Sequence, residues 1–150
     1  MLRFCDNYPQ KSNKTVYALD ILEGKVFFVC KLNKKIYSCI SDTIIPDEVI
    51  ITSNQIVHIK ERHPNDYEQY SKYFADIVCN PDYIIESNKK DTAVILKEIV
   101  EENRKIRMIL KLATKDGQEG YKNSIITFMK INNNRWNRYL RTKNILYKRE

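Results

Sequence analysis

His58-Ile59-Lys60-Glu61-Arg62-His63-Pro64 holds both histidines of this 150-residue chain. Imidazole gains and loses a proton near neutral pH, so histidine is a common proton carrier in hydrolysis. His58 and Arg62 are four residues apart and share one helix face, with Gln55 a turn earlier. His63 follows Ile59 by four residues and continues the apolar stripe of the same helix, as a half-buried residue would. Farther on, Lys97, Arg107, Lys111, Asn123 and Thr127 lie in strand-like segments and put cations and short hydrogen-bonding groups on one side of a sheet. This inventory suits cleavage of an RNA backbone. A base takes the 2′-OH proton, the oxygen attacks phosphorus, an acid protonates the departing 5′ oxygen, and Arg or Lys stabilises the added negative charge.

Other chemistries lack their signatures. The sequence has no GxxxxGKS loop, no GxSxG elbow, no HExxH helix and no Asp/Glu/His cluster of the two-metal kind. The expected reaction therefore uses no metal and no cofactor. Cys5, Cys30, Cys39 and Cys79 form no CxxC pair and read as reduced thiols of a cytoplasmic protein. The first residues, Met1-Leu2-Arg3-Phe4-Cys5-Asp6, show no signal peptide, and no apolar run is long enough to span a membrane.

Charge points to the partner. Of 26 Lys and Arg, 13 lie in residues 103–150 beside 3 of the 19 acidic residues, which gives that stretch +10 and leaves −3 on residues 1–102. A localised positive field attracts polyanions. Arg135, Arg138 and Arg141 extend it along a short C-terminal helix.

The elements that must position these residues follow from pattern. Residues 1–14 read as an irregular lead-in, and Thr15–Leu22, Lys25–Leu32 and Lys35–Ile40 as a small β-meander turning at Glu23-Gly24 and Asn33-Lys34. Thr52 with Gln55 forms a capping box, and Ile51 with Ile56 a hydrophobic staple, for a helix that Pro64 ends near Arg62. A second helix is expected from Asn65 to Cys79, with Tyr67, Tyr70, Phe74, Ile77 and Val78 as its inward stripe. Strands follow at Asp82–Glu86, Thr92–Val100, Lys105–Ala113 and Ser124–Ile131, then a helix from Asn132–Asn134 with Trp136, Tyr139 and Leu140 inward, and a last strand at Ile145–Tyr147. Val94, Leu96, Val100, Ile106, Met108, Leu110, Leu112, Ile126 and Phe128 are expected under the helices, leaving Lys97, Arg107, Lys111, Asn123 and Thr127 on the other face, mixed with Ile95, Ile109 and Ile125. Helices first and an antiparallel sheet after make an α+β pattern.

The heptapeptide from His58 to Pro64 resembles the H-I-x-x-R-H-P signature of phage-associated nuclease-like domains of the barnase, EndoU, colicin and RelE-like (BECR) superfamily. Asn80-Pro81-Asp82-Tyr83-Ile84, Thr92–Lys97, Lys122-Asn123-Ser124-Ile125-Ile126-Thr127 and the basic end at Leu146-Tyr147 are similar in kind and order, over roughly residues 50–148. The resemblance implies N-terminal helices packed on a four-stranded antiparallel sheet in a nuclease domain at residues 46–150. The β-rich extension at 1–45 would precede it, with no role assigned. It also implies metal-independent RNA cleavage that leaves a 2′,3′-cyclic phosphate, with tRNA or another structured RNA as substrate, often in a toxin countered by an immunity protein. Carried onto this chain, His58, Arg62, His63, Lys97 and Thr127 become catalytic candidates and Asn123, Arg107, Lys111, Arg135, Arg138 and Arg141 candidates for RNA contact. A non-catalytic RNA-binding module on the same fold, or a DNA-binding or structural phage protein, are the alternatives.

Overall fold

The computed structural model describes residues 25–117 and 119–150. The expected lead-in, the strand at Thr15–Leu22, the turn at Glu23-Gly24 and Cys5 lie outside the described residues. The elements are β1 (Val26–Lys31), α1 (Lys34–Tyr37), β2 (Glu48–Thr52), α2 (Ser53–Arg62), α3 (Asp66–Tyr70), α4 (Phe74–Cys79), β3 (Tyr83–Ile85), β4 (Thr92–Ile99), β5 (Arg104–Lys111), β6 (Asn123–Ile131), α5 (Asn133–Thr142) and β7 (Ile145–Lys148). Short 3-10 turns join α3 to α4 and β4 to β5.

The fold is α+β, with a seven-stranded sheet in the order β1-β2-β6-β5-β4-β3-β7. The four strands expected from the sequence are the contiguous antiparallel block β6-β5-β4-β3. The sheet is wider than expected: β7 pairs with β3 at one edge, and β2 joins β6 in parallel at the other. Of the expected meander, the strand at Lys25–Leu32 lies within the described residues and forms as β1. It pairs with β2 in the same sheet and shares the main core through Val29 and Cys30. The segment expected as a third strand, Lys35–Ile40, is instead the helical turn α1, because the Asn33 side chain accepts from the Lys35 and Ile36 amides and caps it.

Thr52 Oγ1 accepts from the Gln55 amide at 3.1 Å and starts α2, and His63 ends it ahead of Pro64. The second helix is not continuous. Asn65 adopts φ 72°, which holds its side chain out of the cap, and the 3-10 turn Ser71–Tyr73 divides the segment into α3 and α4. The buried stripe survives the break, since Tyr67, Tyr70, Phe74, Ile77 and Val78 are all buried. Phe74 packs edge-on against Phe128 of β6 with ring centroids 4.7 Å apart. Beyond the helices, Tyr73 Oη and Gln69 Nε2 donate to the Glu102 carboxylate and tie the β4–β5 turn to the helical layer.

Candidate active site

Directly paired residues of neighbouring strands share a face of the sheet. The main core, under α2, α3 and α4, takes Ala93, Ile95 and Ile99 from β4, Ile106, Met108 and Leu110 from β5, and Ile125 and Phe128 from β6. The opposite face carries Val94 and Leu96 of β4 and Arg107, Ile109 and Lys111 of β5. At its far end α5 covers this face with Trp136, Tyr139 and Leu140, packed around Ile85, Leu96 and Ile131. The expected parity of β4 is therefore reversed: Val94 and Leu96 turn away from α2–α4, and Val100 lies in the turn, 76% exposed.

A β-bulge in β6 changes the expected register as well. Ile109 pairs with Thr127 but Leu110 pairs with Ile125, so Ile126 is the extra residue. Ile125 enters the main core, whereas Ile126 lines a cleft on the opposite face, the reverse of their expected positions.

That cleft, about 480 Å³, opens on the second face. Val94, Ile109 and Ile126 form its floor, Arg107, Lys111 and Thr92 stand among them, and Ser87, Asn88 and Lys89 make its rim. The Lys90 carbonyl accepts from Lys111 Nζ and from Thr92 Oγ1, each at 2.9 Å, so both side chains pin the rim loop to the sheet. Arg107 is the unusual member. Its Nη1 reaches only the Met129 sulfur, at 3.4 Å, its Nε is buried with no hydrogen-bond partner, and no carboxylate among the described residues pairs with it. A buried donor left without a partner is costly. The Tyr139 ring supports the guanidinium at 5.8 Å and carries Arg135 at the same distance. Thr127 belongs to this face through its pairing with Ile109.

Lys97 and Asn123 lie in other surroundings. Lys97 pairs with Ile106 and so lies on the helix side, only 6% exposed. Its ammonium donates to the Asn80 carbonyl at 2.7 Å and sits 3.5 Å from Asp76 and 3.9 Å from Asp82. Asn123 is fully buried: its Oδ1 accepts from the Ala113 amide at 2.8 Å, and its Nδ2 donates to the Pro46 and Glu48 carbonyls, each at 3.0 Å. Each of these groups is engaged inside the protein.

His58 and Arg62 occupy the exposed face of α2, while His63 is half-buried at its end. α2 packs along β6. β2 pairs with β6 only at Val49–Asn123 and Ile50–Ser124, so beyond Ser124 that flank of β6 has no strand partner among the described residues. On α5, Arg138 and Arg141 are exposed and Arg135 is half-buried. The structure thus brings Arg107, Lys111 and Thr127 to one face, with Arg135 beside them, puts His58 and Arg62 on a helix along β6, and keeps Lys97 and Asn123 apart.

The sequence reading missed Thr92, the rim at Ser87–Lys89 and the role of Tyr139. The run Ser87-Asn88-Lys89-Lys90, polar and basic between two apolar strands, was the available signal for the rim. Strongly shifted titrations also fall on the helix side. A hydrogen bond from Cys30 holds Cys79 down to about 7, and burial pushes Cys39 and Tyr37 up. These thiols accompany the packing of β1 on α4, away from the cleft, so here shifted titration marks packing. Among the described residues no group of three or more His, Cys, Asp and Glu could hold a metal ion, and no helix is long and apolar enough to cross a membrane.

Comparison with known families gives a match over residues 29–148 to the family described as phage-Barnase-EndoU-ColicinE5/D-RelE like nuclease2. The match begins within β1, earlier than the resemblance read from residues 50–148. No curated protein and no solved structure matches the chain.

Proposed function

The chain belongs to this family of phage-associated nuclease-like domains, and we propose that it is a metal-independent endoribonuclease whose scissile phosphate binds at Arg107 and Lys111. The observation that carries the reading is the Arg107 guanidinium, with a buried Nε that lacks a partner at the wall of an open cleft. A phosphate there would accept from Arg107 and from the remaining protons of the Lys111 ammonium, with the Thr127 hydroxyl beside it. Both cations stabilise charge that grows on the phosphoryl oxygens as the 2′ oxygen attacks. By the family resemblance His58 is the proton carrier and Arg62 adds positive charge. Both stand on the exposed face of α2, on the helix-covered side of the sheet, so the RNA would have to pass the β6 flank to reach them from this cleft. Lys97 and His63 act through the fold, by holding the end of α4 and the end of α2. Structured RNA such as tRNA is the proposed substrate, and a toxin role with an immunity partner belongs to the same proposal.

The test is incubation of the purified protein with total tRNA in EDTA, beside Arg107→Ala and His58→Ala. Wild type should cut and leave 2′,3′-cyclic phosphate ends. Arg107→Ala should lose roughly 10²–10³-fold in kcat/KM, and His58→Ala about 10²-fold or more. Full activity of Arg107→Ala sinks the assigned phosphate site. Full activity of His58→Ala alone moves proton transfer to a group inside the cleft.

One observation favours a second reading, a non-catalytic RNA-binding module: no histidine and no carboxylate is among the residues lining the cleft. That reading expects binding that weakens steeply with salt while the RNA stays intact.

A further inference from the structure

We infer that the cleft receives one unpaired nucleotide, its base lying flat on Val94, Ile109 and Ile126, so that the RNA it takes is single-stranded at the point of contact. The inference rests on the phosphate reading above and adds to it the half of the cleft that phosphate chemistry does not use.

Phosphate recognition needs donors and charge, and Arg107 with Lys111 supplies both. It does not need an apolar floor, yet the cleft surface that these cations border is built from three branched aliphatic side chains on three adjacent strands. Val94 lies directly opposite Ile109, and Ile109 opposite Thr127, so the floor is continuous across the strands. Ile126 reaches it only because the bulge turns two consecutive residues of β6 the same way. A flat apolar patch bordered by polar groups matches a nucleobase, whose faces are apolar and whose edges carry donors and acceptors.

The rim supplies such groups. The Asn88 side chain is exposed and makes no hydrogen bond among the described residues, which leaves an amide donor and a carbonyl acceptor at the mouth of the cleft. Thr92 already donates its proton to the Lys90 carbonyl, so toward the cleft its hydroxyl can only accept. The same carbonyl accepts from Lys111, which fixes the rim before any ligand arrives. At about 480 Å³ the space is of small-ligand size. In a duplex both faces of each base are stacked and the deep groove of A-form RNA is closed to side chains, so only an unpaired base can lie on this floor.

The experiment compares a short RNA oligonucleotide in single-stranded form with the same strand annealed to its complement, in EDTA. Affinity is read by fluorescence anisotropy and cleavage by gel, for wild type, Ile126→Trp, Asn88→Ala and Arg107→Ala. Single strand should bind and be cut at least about tenfold better than duplex. Ile126→Trp, which fills the floor, should lose most of that preference. Asn88→Ala, on an exposed loop, should keep the melting temperature while flattening the nucleotide preference measured on a randomised oligonucleotide. Equal handling of single strand and duplex by wild type overturns the inference. So does an unchanged nucleotide preference in Asn88→Ala, which keeps the test decisive where Ile126→Trp fails to fold. If RNA is bound with single-strand preference but never cut, the catalytic reading fails and this inference stands. If Arg107→Ala binds as wild type does while Ile126→Trp is impaired, the phosphate site is misplaced but the base floor remains.

Discussion

The two faces of one sheet treat their cations in opposite ways. On the helix-covered face, Lys97 is sealed under α4 and matched with a carbonyl and two carboxylates. On the other face, Arg107 rests on a tyrosine ring and a thioether with no carboxylate partner among the described residues. A matched buried cation stabilises a particular packing, and its removal leaves its partners unsatisfied. An unmatched cation at an open cleft contributes little to stability, and on the proposed function it takes an anion from outside. Equal residue types thus carry different meaning, set by which way a strand turns them.

The contrast can be broken by substitution, beginning where the effect should be largest. Asn123→Ala removes three hydrogen bonds that join β6 to Ala113 and to the approach of β2. It should cost roughly 2–4 kcal/mol in urea unfolding, at about 1 kcal/mol per bond with the desolvation of the orphaned backbone groups added. Next, Lys97→Met keeps the apolar stem but orphans the Asn80 carbonyl and takes the cation from beside Asp76 and Asp82, although Asp82 keeps the Glu98 amide and the Arg149 guanidinium. It should lower stability by about 1–3 kcal/mol while kcat/KM of the folded fraction stays near wild type. A large fall in kcat/KM with unchanged stability would reverse the assignment of the two faces. The smallest effect belongs to Tyr139, a positioning residue that acts through Arg107. Tyr139→Leu should raise KM by about two- to fivefold, the value of one partly exposed cation–π contact, and Tyr139→Phe should restore it. A defect shared equally by Leu and Phe would mean that the ring does not hold the guanidinium.

Local signals in the sequence translated well. Thr52 caps α2, Pro64 ends it, and the stripe from Tyr67 to Val78 is buried although its helix is interrupted. The faces of β5 were legible because Ile106, Met108 and Leu110 alternate with Arg107 and Lys111. The faces of β4 were not: Ala93, Ile95 and Ile99 are as apolar as Val94 and Leu96, since both sides of that strand are covered. For that reason Lys97 looks outward in the sequence, whereas its charge is neutralised by residues that only the fold brings near. The bulge at Ile126 has no sequence signature, and it swapped the faces of Ile125 and Ile126. Asn123 looked like a ligand-binding amide because the backbone groups it joins lie as far as 77 residues away in the chain.

The parallel pairing of β2 with β6 also sets an order of assembly. β3 to β6 connect neighbour to neighbour, so the floor of the cleft is made from contacts close in sequence. α2 follows a strand whose junction with β6, marked by the Asn123–Glu48 bond, spans 75 residues. Closing so long a loop is slow compared with forming successive hairpins. The floor of the cleft should therefore mature before α2, the helix that carries His58, settles along β6 on the other face of the sheet. In pulse-labelled hydrogen exchange during refolding, amides of β4 and β5 should gain protection ahead of those of β2, and the reverse order would refute this sequence of events. On the proposed function, a nascent chain would hold its phosphate-binding cleft before the helix that carries His58 is in place.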